Sequence, residues 1–152
     1  MPGKEGRGGQ REDPIWEEIR AEIAIEAERE PVLADFLQAT VLDHASLERA
    51  LSFHLAGKLG NERVSAEAFR EGLEEAMASD PQMGAALRND LWAIRQRDPA
   101  CTSHWMPLLY FKGYHALQAH RFAHRLWNEN RLVLATHVQN SVSEVFGVDI
   151  HP

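Results

Sequence analysis

The sequence predicts an all-α domain of about seven to eight helices, with a β-strand starting only at its final residues. Two observations carry this reading. Apolar residues recur every three or four positions through almost the whole chain, the period of helices that bury one face. Prolines and Asp-Pro pairs, with Gly60 and Gly147, fall at the ends of those stripes rather than inside them, as helix starts and stops require. Only Val148–Asp149–Ile150 alternates with the period of a strand.

Each element has its own signature. Residues 1–13 mix charges of both signs with several glycines and lack an apolar stretch, which predicts a disordered tail. Asp13 is placed to cap a first helix with Pro14 in its opening turn, and Trp16, Ile19 and Ile23 share one face. That helix is expected to end near Glu30, because Pro31 opens the next, whose stripe is Leu33, Phe36, Leu37, Thr40 and Val41. Leu47, Leu51, Leu55 and Leu59 form a third stripe that runs into Gly60, read as a left-handed stop. Ser65 can cap a fourth helix carrying Phe69, Leu73 and Met77. Asp80–Pro81 repeats the opening grammar before Met83, Leu87, Leu91 and Ile94.

The stretch RQRDPACTSHWMP has no sustained period and reads as an ordered loop. A long helix is expected from Pro107 onward, with Leu109, Gly113, Ala116, Leu117, His120, Ala123 and Trp127 inward. The last helix places Leu134, Val138, Ser141, Val142 and Val145 together and meets Gly147. The expected division is therefore a tail (1–13), a helical domain (14–147) and the first residues of a further unit (148–152).

Composition narrows the function classes. The chain has 152 residues, 44% of them hydrophobic, and carries a formal charge of −7 with its Lys and Arg dispersed. Nucleic acids and anionic membranes need concentrated positive charge, so neither is expected as a partner. No apolar run approaches the roughly 18 residues that span a bilayer. The single cysteine, Cys101, cannot form an internal disulfide and fits a reducing, cytoplasmic setting.

Candidate chemistry is sparse. Eight histidines invite a metal, and His120 and His124 stand one helical turn apart. His115 lies roughly 140° around the same helix, at ~100° per residue, and no acidic residue completes a ligand set. No metal site is expected. Cys101 and His104 are neighbours in sequence, but a catalytic pair needs an oriented imidazole and an activated thiolate. Asp98 precedes Pro99 in the irregular stretch and reads as another helix cap, like Asp13 and Asp80. Asp149, on an alternating strand, would be presented to a surface, where a carboxylate can orient an imidazole during general-base catalysis. Periodicity leaves both of its readings open.

Three blocks carry more than periodicity does. RDPACTSHWMPLLYFKGYHALQAHRFAHRLW, QNSVSEVFGVDIHP and EPVLADFLQATVLDHASLERALSFHLAGKL together resemble the amino-terminal helical region of serine O-acetyltransferase, over about Trp16 to Pro152. The resemblance implies a helical domain followed by a left-handed β-helix of hexapeptide repeats, with Ile150 its first inward residue. It implies transfer of acetyl from acetyl-CoA to the serine hydroxyl, the first step of cysteine synthesis.

By motif, Asp149 would orient a general-base histidine. Asp98 and Pro99 would line the serine pocket, where Asp98 holds the substrate ammonium and meets cysteine as feedback inhibitor. The general base, a second pocket histidine, a carboxylate-binding arginine and the acetyl-CoA site would all lie beyond Pro152, and His151 would not replace them. This chain alone would then bind no cofactor and catalyse no transfer.

In assembly, the resemblance implies a hexamer made of two trimers, joined through helical domains. The Leu47–Leu59 stripe could serve that joint as easily as the core. Docking onto O-acetylserine sulfhydrylase would need a C-terminal peptide absent here. The competing expectation is a free-standing helical oligomerisation or adaptor module without chemistry.

Overall fold

A computed structural model describes residues 12–152; the expected tail falls outside the described residues except for Glu12 and Asp13. Asp13 already belongs to the fold. Its side chain accepts the Trp16 N–H at 3.3 Å and caps α1 (Pro14–Arg29), which buries Trp16, Ile19 and Ile23. A 3₁₀ turn (Pro31–Leu33) leads into the short α2 (Ala34–Leu37) and a π turn (Gln38–Leu42). The expected stripe there is therefore broken among three helical types. Leu37, Thr40 and Val41 face inward, whereas Leu33 and Phe36 are exposed.

Ser46 caps α3 (Leu47–Leu59) by accepting the Arg49 N–H, a cap not expected from the sequence. Leu47, Leu51, Leu55 and Leu59 are all buried in the core, so that stripe is not an interface. Gly60 ends α3 in an extended conformation (φ −67°, ψ 149°), not the left-handed one expected. Its need for glycine is steric: a Cβ there would lie 2.5 Å from the Ala66 backbone nitrogen.

Ser65 and Asp80 cap α4 (Ala66–Ser79) and α5 (Pro81–Arg97) as expected, accepting the Ala68 and Gln82 N–H groups. Arg88 of α5 ties three helices together. Its guanidinium reaches Glu48 Oε1 at 2.6 Å, Asp13 Oδ2 from Nε at 3.1 Å and the Gly84 carbonyl at 2.8 Å. Asp13 and Glu48 stand at the N-terminal ends of α1 and α3, where negative charge also meets the helix dipole favourably. Burial alone would raise the Asp13 carboxyl, but the bonds from Arg88 outweigh it and hold it below its ordinary value.

The expected long helix from Pro107 is two helices. α6 (Trp105–Tyr110) stops where Phe111 turns extended (φ −91°, ψ 107°), and α7 (Lys112–Asn128) restarts in a new phase. Ala116 and Ala123 face inward as expected. Gly113 is exposed and Leu117, His120 and Trp127 are half-buried, while Tyr114, His115, Gln118, Ala119, Phe122 and Leu126 are buried instead.

The break frees carbonyls at the end of α6 inside the protein, where unpaired backbone groups are costly. Two buried histidines take them. His54 Nε2 donates to Leu109 O at 2.8 Å and His115 Nε2 to Leu108 O at 2.7 Å, with ring centroids 5.2 Å apart. In this role both rings carry a proton on Nε2, and His115 Nδ1 is buried without a partner. Burial lowers both imidazoles from their ordinary value, His115 to about 4; the carbonyl bonds oppose only part of the shift.

α7 turns through Asn130 (φ 60°) into α8 (Leu132–Phe146), and the two helices pack along each other. Ala135, Val138, Ser141, Val142 and Phe146 are buried, whereas Val145 of the expected stripe is exposed. Gly147 closes α8 where the sequence placed its end, and does so in the left-handed region (φ 72°). Residues 148–152 follow without regular structure. No strand occurs among the described residues, because Val148–Ile150 has no neighbouring strand there to complete its hydrogen bonds.

Candidate functional site

Asp98 occupies the end of α5, not the start of a following helix. Its N–H bonds to Ile94 O, its carbonyl accepts the Cys101 N–H at 3.0 Å, and Oδ1 accepts the Ala100 N–H at 2.9 Å. The analogy with Asp13 and Asp80 therefore fails: α6 begins only at Trp105, and Asp98–Pro99 instead turns the chain. That bond to Ala100 is the carboxylate's sole hydrogen bond among the described residues, and it leaves Oδ2 for a ligand. Pro99 and Ala100 beside it are exposed.

Asp149 sits on the exposed segment after α8. Gln139 of α8 donates to its Oδ1 at 2.8 Å, holding the carboxylate outward. The same segment is moored to α7 by two contacts. The His151 ring meets Trp127 edge-on at 4.8 Å, and His124 Nδ1 donates to Pro152 O at 2.7 Å. His151 is thus engaged in packing. Ile150 is exposed at 36%. Asp98 and Asp149 share no hydrogen bond; each is held by partners of its own.

The other candidates are separated by the fold. Cys101 is buried and its thiol donates to Ser103 O at 3.2 Å, while His104 faces Glu18 and Arg95, so no cysteine–histidine pair forms. His120 and His124 stand with ring centroids 6.1 Å apart, but no third ligand joins them among the described residues. No group of three or more metal-ligating side chains occurs among the described residues. None of their helices is long and apolar enough to cross a membrane.

Comparison with known proteins converges on one family. The family model "Serine acetyltransferase, N-terminal" matches residues 15–119. Serine acetyltransferase of Escherichia coli K12 is 51% identical over 138 residues, covering 91% of this chain and 50% of that protein. Serine acetyltransferase 2 of Arabidopsis thaliana is 49% identical over 142 residues, covering 93% of this chain and 44% of that protein. This chain thus spans about half the length of the curated relatives it matches.

Among solved structures, the Neisseria gonorrhoeae serine acetyltransferase in complex with serine superposes with a TM-score of 0.90 at 49% identity. That match covers 93% of this chain and 59% of that one. The Brucella abortus enzyme in complex with coenzyme A superposes with a TM-score of 0.91 at 41% identity, covering 93% and 57%. With a family model over residues 15–119 and relatives near 50% identical across nine-tenths of its length, the chain belongs to the serine acetyltransferase amino-terminal domain family.

Proposed function

We propose that this domain serves an enzyme that transfers acetyl from acetyl-CoA to the L-serine hydroxyl, opening cysteine synthesis. The observation that carries the reading is the Asp98 turn: a carboxylate with one free oxygen, displayed in a chain that matches a serine-complexed relative at 49% identity. Asp98 and Pro99 line the serine pocket, and Asp98 pairs with the substrate ammonium. Cysteine, sharing that ammonium and carboxylate, competes there as feedback inhibitor. Asp149, held by Gln139, orients the imidazole of a general base that this chain does not itself supply. Acetyl-CoA binds to the β-helical part of that enzyme, which this chain does not include. The buried free thiol of Cys101 suits a cytoplasmic enzyme.

The 152-residue chain by itself is expected to release no CoA thiol from acetyl-CoA in the presence of serine. The full-length enzyme is expected to release it in proportion to serine. Turnover by the chain alone would overturn this division of labour, and an inert full-length protein would leave a helical adaptor.

The domain also serves assembly. Two trimers join through their helical domains into a hexamer, and O-acetylserine sulfhydrylase is a partner of the full-length enzyme only. With the Leu47–Leu59 stripe spent on the core, the contact falls to the exposed residues around the 3₁₀ turn. Val32 (87% exposed), Leu33 and Phe36 all lie there. Such a cluster favours burial against a second copy. Light scattering is expected to find a dimer or larger species; a monomer up to the solubility limit would rule the contact out.

A further inference from the structure

We propose that Glu18, on the first helix, is a positioning residue for Asp98, fixing the 98–104 loop through a carboxylate bridge to Arg95 and His104. The proposal rests on the reading of Asp98 as the group that holds the serine ammonium. Arg95 lies in the last turn of α5, just before Asp98, and its Nη1 meets Glu18 Oε1 at 2.6 Å. His104 closes the far end of the loop, with Nδ1 3.1 Å from Glu18 Oε2. One carboxylate therefore grips both ends of the seven-residue stretch that presents Asp98.

The proton on His104 follows from its neighbours. Nδ1 also lies 3.2 Å from Arg95 Nη1, but a guanidinium only donates and a carboxylate only accepts, so Nδ1 can satisfy one of them. Nε2 is buried without a partner. A bare N–H there is more costly than a bare lone pair, so the proton sits on Nδ1 and is given to Glu18. His104 itself is buried, at 5% exposure, which leaves its ring no freedom to swing away.

Within the loop, the fixation passes through the backbone. The Cys101 thiol bonds to Ser103 O, the Cys101 N–H to Asp98 O and the Ala100 N–H to Asp98 Oδ1. Releasing His104 would loosen this chain of short-range bonds from its C-terminal end. Burial raises the Glu18 carboxyl, but the bonds from Arg95 and His104 outweigh it and keep it below its ordinary value, so the bridge is charged at neutral pH.

Two measurements decide the matter. In this chain, Glu18→Ala is expected to speed amide exchange at Ala100 and Cys101 about tenfold while Leu73 and Ala76 of α4 keep their protection. Glu18→Gln, whose amide oxygen still accepts, is expected to restore part of it. In the full-length enzyme, Glu18→Ala is expected to raise the serine KM roughly three- to tenfold, with kcat and the acetyl-CoA KM held.

Unchanged exchange at Ala100 would overturn the proposal. So would a serine KM that responds to Asp98→Asn but not to Glu18→Ala, which would leave the substrate reading standing. If neither substitution moves the serine KM, the substrate reading falls and takes the positioning role with it.

Discussion

Lowering the pH from 7.5 to 4.5 is expected to destabilise the chain by roughly 2–3 kcal/mol through His115 alone. The His115 imidazole is neutral when folded because burial depresses it to about 4, against 6.5 for the free side chain. The folded state therefore binds fewer protons than the unfolded state between these values. Its contribution is complete above pH 6.5 and is lost progressively as the pH falls toward 4. A proton on Nδ1 would be buried with no acceptor. His54 and His120, also depressed mainly by burial, act in the same direction, whereas Glu22, raised mainly by burial, acts against them.

For a domain of this size the melting temperature is expected to drop by about 6–10 °C over that range. His115→Phe should be less stable at neutral pH, because Leu108 O loses its donor, and its pH slope should flatten. Melting curves of both proteins from pH 7.5 to 4.5 check this. An equal slope in wild type and variant would refute the assignment.

Asp98→Asn is expected to raise the serine KM of the full-length enzyme about ten- to a hundredfold, since a charged hydrogen bond in a partly enclosed pocket contributes roughly 1.5–3 kcal/mol. Cysteine inhibition should weaken in parallel, and the acetyl-CoA KM should hold. Asn retains an oxygen for the Ala100 N–H, so the turn after α5 persists and thermal stability stays nearly constant. Steady-state kinetics with both substrates, a cysteine titration and a melting curve test the three parts together. A melting point that falls while serine affinity holds would reduce Asp98 to a turn residue.

Legibility differed by element for physical reasons. The caps at Asp13, Ser65 and Asp80 and the stop at Gly147 were readable because they are bonds between residues two to four apart. The α1, α3 and α4 stripes were readable because one uninterrupted helix presents one face to the core. The region after Pro107 misled for the opposite reason. Nothing in LLYFKGYHALQ marks a break, and the break at Phe111 is sustained by His54, more than fifty residues away in sequence. Once it occurs, the helical phase resets, which is why Tyr114 and His115 are buried and Gly113 is not.

The candidate site divides in the same way. Asp98, Pro99 and Asp149 were singled out by motif alone, and the sequence by itself determined the helical class, the caps and the family resemblance, all of which depend on local order. Only the tertiary structure decided that Asp98 ends α5 instead of starting α6, that Cys101 and His104 turn to different partners, and that Glu18 bridges the loop's two ends. Those outcomes depend on which helix packs beside which. A carboxylate on the first helix and an imidazole eighty-six positions later become neighbours only when burial of the apolar faces between them brings α1 against the end of α5.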